Sequence, residues 1–237
     1  SPDAPAVDIF VDGQKAVTAL AFPKDTGYVS LPAGKHNVKV FISPSNGSGT
    51  PALQADLDIA GGKDYTVLAV GEAGKNTLAL LPLEDNNAAP AAGNAHVRLI
   101  HASPDAPAVD VVVAGTSTKV FSNIAFKGVG AYTPVPANTY NLDVKVASSG
   151  AVAKSITGLQ LKDRTVYTAV AVGLAGNGTL QVIPLVDAAA PVTPSAPSTG
   201  TGTMADGGFA WAAVGFGLIA VAGTLWFARK ARATTRA

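Results

Sequence analysis

The polar side chains best spaced for chemistry sit in an octapeptide that occurs twice. Ser-Pro-Asp-Ala-Pro-Ala-Val-Asp is found at Ser1–Asp8 and again at Ser103–Asp110. In the second copy a histidine precedes it, so His101, Ser103, Asp105 and Asp110 cluster along the chain. A histidine and a carboxylate this close could form a His–Asp dyad for hydrolysis, and carboxylates at Asp105 and Asp110 could ligate a cation. The first copy offers Asp3 and Asp8 without a histidine. A structural role accounts for the same residues more simply. Pro104 and Pro107 fix a kinked approach to a strand, Ser103 and Asp105 satisfy turn amides, and His101 bonds locally. The expectation is therefore no catalytic, cofactor-binding or metal-binding residue, with an enzyme built on His101 and Asp105 as the alternative.

The remaining candidates are weaker. His96 and His101 are five residues apart, which puts them on opposite faces of a strand and makes them a poor chelate. Asp56 and Asp58 share a strand face, but copy two has Gln160 and no acids there, so a solvated face is the reading. No zinc-protease, nucleophile-elbow, calcium-loop or phosphate-loop pattern occurs, and Gly128-Val129-Gly130 reads as a turn. The chain has no cysteine, which excludes disulfides, thiolate metal sites and a cysteine nucleophile. The net charge is +1, but Arg229, Lys230, Arg232 and Arg236 all lie in the last few residues. Without them, 13 Lys and Arg face 16 Asp and Glu, a net of −3, and no basic stripe is left for nucleic acid.

The elements that position these residues are strands. Beyond the octapeptide the copies stay in step at an offset of 102 to 104, so insertions are confined to loops. Tyr28 answers Tyr132, Tyr65-Thr66 answers Tyr167-Thr168, Gly71 answers Gly173, and Leu81-Pro82-Leu83 answers Ile183-Pro184-Leu185. Tyr140, Leu142, Val144 and Val146 alternate with polar residues, as do His36, Val38, Val40 and Ile42, which is the period of a half-buried strand. Val166–Val172 is almost wholly apolar, as a central strand covered on both faces should be. Eight strands are expected in copy two: Val97–His101, Ala108–Ala114, Lys119–Ile124, Ala131–Val135, Tyr140–Ala147, Val152–Leu161, Thr165–Gly173 and Leu180–Val186. Tyr65 and Tyr167 have the position of corner tyrosines whose hydroxyls bond backbone. The expected fold is all-β: two tandem antiparallel β-sandwiches of immunoglobulin or transthyretin type, followed by one C-terminal transmembrane helix. The boundaries read 1–85 for the first repeat, 86–94 for a linker and 95–187 for the second repeat.

Residues Val97–Val111, VRLIHASPDAPAVDV, resemble the opening of the bacterial domain of unknown function 4397. Leu31–Gly34 and Tyr167–Gly173 resemble its later blocks, and the likeness spans nearly all of Ser1–Asp187 in two copies. The resemblance implies a secreted or surface-displayed β-domain, often in tandem, and supplies no catalytic residues. Copy one lacks the counterpart of Val97–Ala102, so its sheet should show an unpaired edge. The precursor is expected to continue upstream through that strand to a signal peptide.

Residues 188–208 are rich in Pro, Thr, Ser, Ala and Gly and read as an extended stalk. Phe209–Ala228 is a 20-residue stretch without a charge, long enough as a helix to cross a bilayer of about 30 Å. Trp211 and Trp226 sit near its ends and the basic tail, residues 229–237, follows it. The positive-inside rule then places the tail in the cytoplasm and the repeats outside. Ala196-Pro197-Ser198-Thr199-Gly200 resembles a sortase sorting signal, with Ala196 in place of the usual leucine. That resemblance implies cleavage between Thr199 and Gly200 and transfer of Thr199 to peptidoglycan; a chance match within a Pro/Thr/Ser-rich stalk is the competing reading. Either way the chain is expected to be a non-enzymatic cell-surface protein with a structural, adhesive or ligand-binding role. Its expected partners are a membrane or cell wall and an extracellular ligand.

Overall fold

All regular structure in residues 1–189, the part that the computed structural model describes, is β-strand. Residues 190–208 of the expected stalk, including the 196–200 pentapeptide with Thr199 and Gly200, the 209–228 span and the 229–237 tail lie outside the described residues. Among the described residues no helix is long and apolar enough to cross a membrane.

Copy two contains all eight expected strands. In chain order they are β7 (Asn94–His101), β8 (Val109–Val113), β9 (Lys119–Ile124), β10 (Val129–Pro136), β11 (Asn138–Val146), β12 (Val152–Leu161), β13 (Thr165–Val172) and β14 (Gln181–Ala189). They form two four-stranded sheets, ordered β10-β7-β13-β14 and β12-β11-β8-β9. Ala95, Val97 and Leu99 of β7 and Tyr167 of β13 meet Val109, Val111, Phe121, Leu142 and Val144 of the other sheet in one buried cluster. Burying each such side chain contributes roughly 1.5–3 kcal/mol.

Three details depart from the sequence reading. β7 and β13 run parallel, with Thr168 opposite Arg98, so the sheet is not purely antiparallel. The long crossover between these two strands makes a parallel pairing possible. Gly128-Val129-Gly130 is not simply a turn, because Val129 and Gly130 open β10 against β7. β14 extends to Ala189, pairing Ala188 and Ala189 with Val166 and Thr165, where the stalk was expected to begin.

Copy one is built from β1 (Val7–Val11), β2 (Gln14–Leu20), β3 (Gly34–Ile42), β4 (Leu53–Ile59), β5 (Asp64–Val70) and β6 (Ala79–Asp85). The first four make one sheet, ordered β2-β1-β3-β4, and β5 and β6 make a separate two-stranded sheet. Alternation in β3 holds for His36, Val38 and Val40 but breaks at its end, where Phe41 is buried and Ile42 is 59% exposed. Residues 23–33, which match β10, are irregular. In copy two β10 bonds β7; among the described residues no strand lies on the other side of β5 to bond residues 23–33. Among the described residues β5 pairs with β6 alone.

The two copies are not independent bodies; the described residues belong to one compact unit. Val70 of β5 packs with Ile100, Ala102 and Val170 of copy two in a second buried cluster, flanked by Leu68, Leu81, Leu83 and Leu185. β7 is covered on both faces as a result. Its odd-numbered residues Ala95, Val97 and Leu99 fill the core of copy two, and Arg98 and Ile100 face copy one.

Candidate functional site

The duplicated octapeptide is a lock between distant parts of each copy. The Asp105 carboxylate accepts the amides of Ala175 and Gly176, each at 2.8 Å, across 70 residues of chain. Asp3 does the same for Ala73 at 2.9 Å and Gly74 at 2.8 Å. Burial opposes ionisation of both carboxyls, yet the amides of Gly176 and Ala175 for Asp105, and of Gly74 and Ala73 for Asp3, hold them below the usual range. The Ser103 hydroxyl donates to the Gly173 carbonyl at 2.8 Å, and the Ser1 hydroxyl donates to Gly71 at 2.9 Å. Asp105 satisfies turn amides, those of the turn after β13 rather than its own, whereas Ser103 donates to a carbonyl at the start of that turn.

Asp8 and Asp110 repeat a second device. Asp8 accepts Lys15 Nζ at 2.8 Å, the Ala19 amide at 2.8 Å and the Ser45 amide at 3.0 Å. Asp110 accepts Lys119 Nζ at 2.6 Å and the Asn123 amide at 2.7 Å. Ala19 and Asn123 both have positive φ, 52° and 53°, and both lie in strands whose register shifts against β1 and β8. The carboxylate compensates the ladder bond that such a bulge disrupts. The lysine and the amides hold both carboxyls below their ordinary value.

His101 is fully buried. Its Nδ1 lies 3.3 Å from the Ser103 amide, which can only donate, so Nδ1 is the acceptor and Nε2–H donates to the Pro107 carbonyl at 3.1 Å. Burial pushes its pKa down, which keeps this neutral form. Both ring nitrogens are therefore used, and the hydrogen bonds of Asp105 go elsewhere. No His–Asp dyad is assembled. Tyr65 and Tyr167 accept the amides of Ala60 at 3.2 Å and Lys162 at 3.0 Å, which makes both of them corner tyrosines.

The acids at Asp56 and Asp58, with Asp12 and His36, line a shallow concavity of about 500 Å³. Its polar groups bond one another: His36 Nδ1 to Asp12 at 2.6 Å, and Asn37 Nδ2 to Asp56 at 2.6 Å. Among the described residues no group of three metal-ligating side chains converges.

Sequence reasoning missed the most distinctive cluster, which lies between the copies. Arg98 is 2% exposed and reaches from β7 into copy one. Its Nη2 pairs with the Asp85 carboxylate and donates to Thr66 Oγ1 at 2.9 Å, while Nε donates to Thr168 Oγ1 at 2.6 Å. The guanidinium also lies over the Tyr132 ring, 4.9 Å from its centre. The Tyr28 hydroxyl donates to Asp85 at 2.5 Å. Thr168 donates to Asp187, and the Tyr132 hydroxyl is 3.4 Å from the same carboxylate. Thr66, Asp85 and Tyr28 are the repeat counterparts of Thr168, Asp187 and Tyr132, so the cluster is close to two-fold symmetric. The arginine breaks the symmetry: Asp85 has one, whereas no Lys or Arg pairs with Asp187 among the described residues. The available signal was an arginine inside an otherwise apolar strand, together with an aspartate at or near the end of the last strand of each copy.

Asp187 is pushed up to about 6, because burial penalises its charge more than the Thr168 hydroxyl and the Arg98 charge favour it. The fold thus prefers the neutral acid. Its contribution is complete below the ordinary carboxyl value of 3.8, declines as pH rises and is lost above about 6. Asp187→Asn should match wild type near pH 4 and exceed its stability at pH 8 by about 3 kcal/mol. Urea midpoints at the two pH values check this; equal stability at pH 8 would contradict it.

A duplicated β-domain with octapeptide locks and a shared polar seam defines a tandem-repeat protein, and the comparison with known families agrees. The family described as "Domain of unknown function (DUF4397)" matches residues 1–112 and again 96–198, and the chain belongs to that family. No curated protein matches it. Among solved structures, "CS-rosetta determined structures of the C-terminal domain of AlgF from P. aeruginosa" is similar at 17% identity and a TM-score of 0.32, covering 40% of this chain and 98% of that one.

Proposed function

We propose that this chain is a bacterial cell-surface protein that displays two immunoglobulin- or transthyretin-like sandwich lobes outside the cell and acts by binding or by structure, not by catalysis. The observation that carries the reading is the uncharged stretch Phe209–Ala228 with Arg229, Lys230 and Arg232 directly after it. A helix of that length matches the bilayer, and the basic flank orients it with the lobes outside. The Ala196–Gly200 pentapeptide offers a second route to the surface, by transfer of Thr199 to peptidoglycan. The non-enzymatic part is supported by His101, whose two nitrogens are both spent on backbone groups.

Fractionation of cells that express the full chain tests the location. The lobes should be removed by protease added to intact cells. Detergent should extract the chain if the span is retained, whereas muralytic digestion should be needed if Thr199 is joined to the wall. Protection of the lobes in intact cells, lost on lysis and not explained by a wall layer, would overturn the reading.

A further inference from the structure

Two of the three histidines are buried, and their surroundings demand opposite protonation states. His101 accepts an amide at Nδ1 and stays neutral. His36, on β3, is 7% exposed, and both of its ring nitrogens face acceptors. Nε2 lies 2.9 Å from the Pro32 carbonyl, and Nδ1 lies 2.6 Å from Asp12 Oδ2. A carbonyl and an ionised carboxylate can only accept, so each nitrogen carries a hydrogen, and only the imidazolium has two. The Asp12 bond, and after it the Pro32 carbonyl, raise the His36 pKa above its ordinary 6.5 against the effect of burial. The His36 ring and the Asn37 amide in turn hold the Asp12 carboxyl below its ordinary value.

Copy two builds the same joint without a charge. Tyr140 stands where copy one has His36, and its hydroxyl donates to the Pro136 carbonyl at 2.9 Å. Ala114 stands where copy one has Asp12. The backbone is the same in both: Asp12 N donates to the Asn37 carbonyl, and Ala114 N to the Asn141 carbonyl, each at 2.9 Å. The charges around His36 favour the cation. Asp12, Asp56 and Asp58 line the concavity beside it, against Lys35 alone. On β4, Leu57 lies opposite His36, with Asp56 and Asp58 opposite its neighbours Asn37 and Lys35. The β5–β6 sheet brings Tyr65 and Glu84 to the adjoining groove, and Glu84 is paired with Lys63. The irregular segment 23–33 brings the Pro32 carbonyl; its charges, Lys24 and Asp25, lie at its other end.

We propose that His36 and Asp12 form a proton-operated latch in copy one, in which the imidazolium ties the β1–β2 turn and the end of segment 23–33 to β3. On losing its proton the ring keeps one hydrogen for two acceptors, and one of the two bonds opens. The folded state binds this proton more tightly than the unfolded chain does. The latch therefore contributes fully below the ordinary 6.5 and is lost as pH rises through the raised value. At the acid end, protonation of Asp12 removes the carboxylate and opens it again. The Asp12 side chain is 51% exposed, so solvent screens the charge attraction and the directed hydrogen bonds carry the device.

Nitrogen-15 NMR of the histidine rings tests this in the full chain, held in detergent micelles, between pH 5 and pH 9. Ring nitrogen shifts separate the imidazolium from either neutral tautomer, and the spectrum of His36→Tyr assigns the His36 signals. At pH 6 His36 should carry both hydrogens and His101 should be neutral. The His36 midpoint should lie above 6.5 and fall in Asp12→Asn, which keeps the shape and removes the charge. The amide signals of Ala33 and Asn37 should move with that midpoint, while those of Ala137 and Asn141 stay fixed. Asp12→Ala with His36→Tyr, the pair that copy two uses, should lose less of its urea midpoint between pH 6 and pH 9 than wild type does. Asp187 titrates in both proteins and cancels in the difference. A neutral His36 at pH 6, a midpoint at or below 6.5, or a midpoint that Asp12→Asn leaves unmoved would each overturn the proposal. So would fixed Ala33 and Asn37 amides while the ring titrates, or equal pH dependence of wild type and the double variant. The ring spectra of the unaltered chain decide the question even if a variant fails to fold.

Discussion

Arg98→Met is expected to destabilise the chain by about 3–5 kcal/mol, the largest effect of any single change outside the apolar cores. Arg98 is 2% exposed, and the Asp85 carboxylate it faces has no exposed surface in its side chain. Methionine fills much of the same volume, so the loss is chiefly one of charge compensation rather than a cavity. Asp85 would keep the Tyr28 and Thr66 hydroxyls but no cation, and a buried carboxylate with hydroxyl donors alone remains poorly solvated. Thr168 would also lose the donor at its oxygen. Because Arg98 belongs to copy two and Asp85 to copy one, the destabilisation should appear in both. Urea unfolding followed by circular dichroism should show a single shifted transition or a split one, with the seam lost first. The double variant Arg98→Met with Asp85→Leu should recover part of the loss, a coupling of about 1–3 kcal/mol. A single variant within 1 kcal/mol of wild type would mean that water enters the seam and solvates Asp85.

Gly173→Ala ranks second. Gly173 has φ +89°, and a Cβ placed there would lie 2.2 Å from the Thr179 carbonyl oxygen, which is backbone and cannot swing aside. Gly71 repeats the geometry, with φ +97° and Thr77 O at 2.3 Å. The close approach closes the turn after β13, bonded by Thr179 N to the Leu174 carbonyl at 3.0 Å. That turn presents the Ala175 and Gly176 amides to Asp105. Alanine must therefore open the turn and disturb the octapeptide lock together with it. The combined cost of an unfavourable φ and the overlap is about 2–4 kcal/mol. Gly115→Ala is the control, since Gly115 has φ +76° but nothing within 4 Å of the added carbon. It should lose only about 1 kcal/mol, the backbone part alone. Equal losses at the two sites, read from urea midpoints with unchanged slope, would show that the turn is looser than its geometry indicates.

Residue patterns in copy two were enough to place every strand, because period-two alternation and Gly- or Pro-bearing turns are local properties. The corner tyrosines were legible for the same reason: Tyr65 and Tyr167 bond amides only five residues away. His101 could be assigned a structural role because its partners are Ser103 and Pro107, close in the chain. The partners of Asp105 could not be read, since the amides it accepts lie 70 residues on.

What the chain's own order of residues determined is the duplication and the all-β class. Only the tertiary structure decided that the copies share a core, that Arg98 crosses from one to the other, and that Asp187 lacks the partner Asp85 has. The physical reason is range. Alternation, turns and near-neighbour hydrogen bonds are written in adjacent residues, whereas an ion pair between lobes depends on which faces pack, and packing sums weak apolar contacts over many distant side chains. An arginine in an apolar strand announces that some carboxylate waits nearby; the fold alone selects which one.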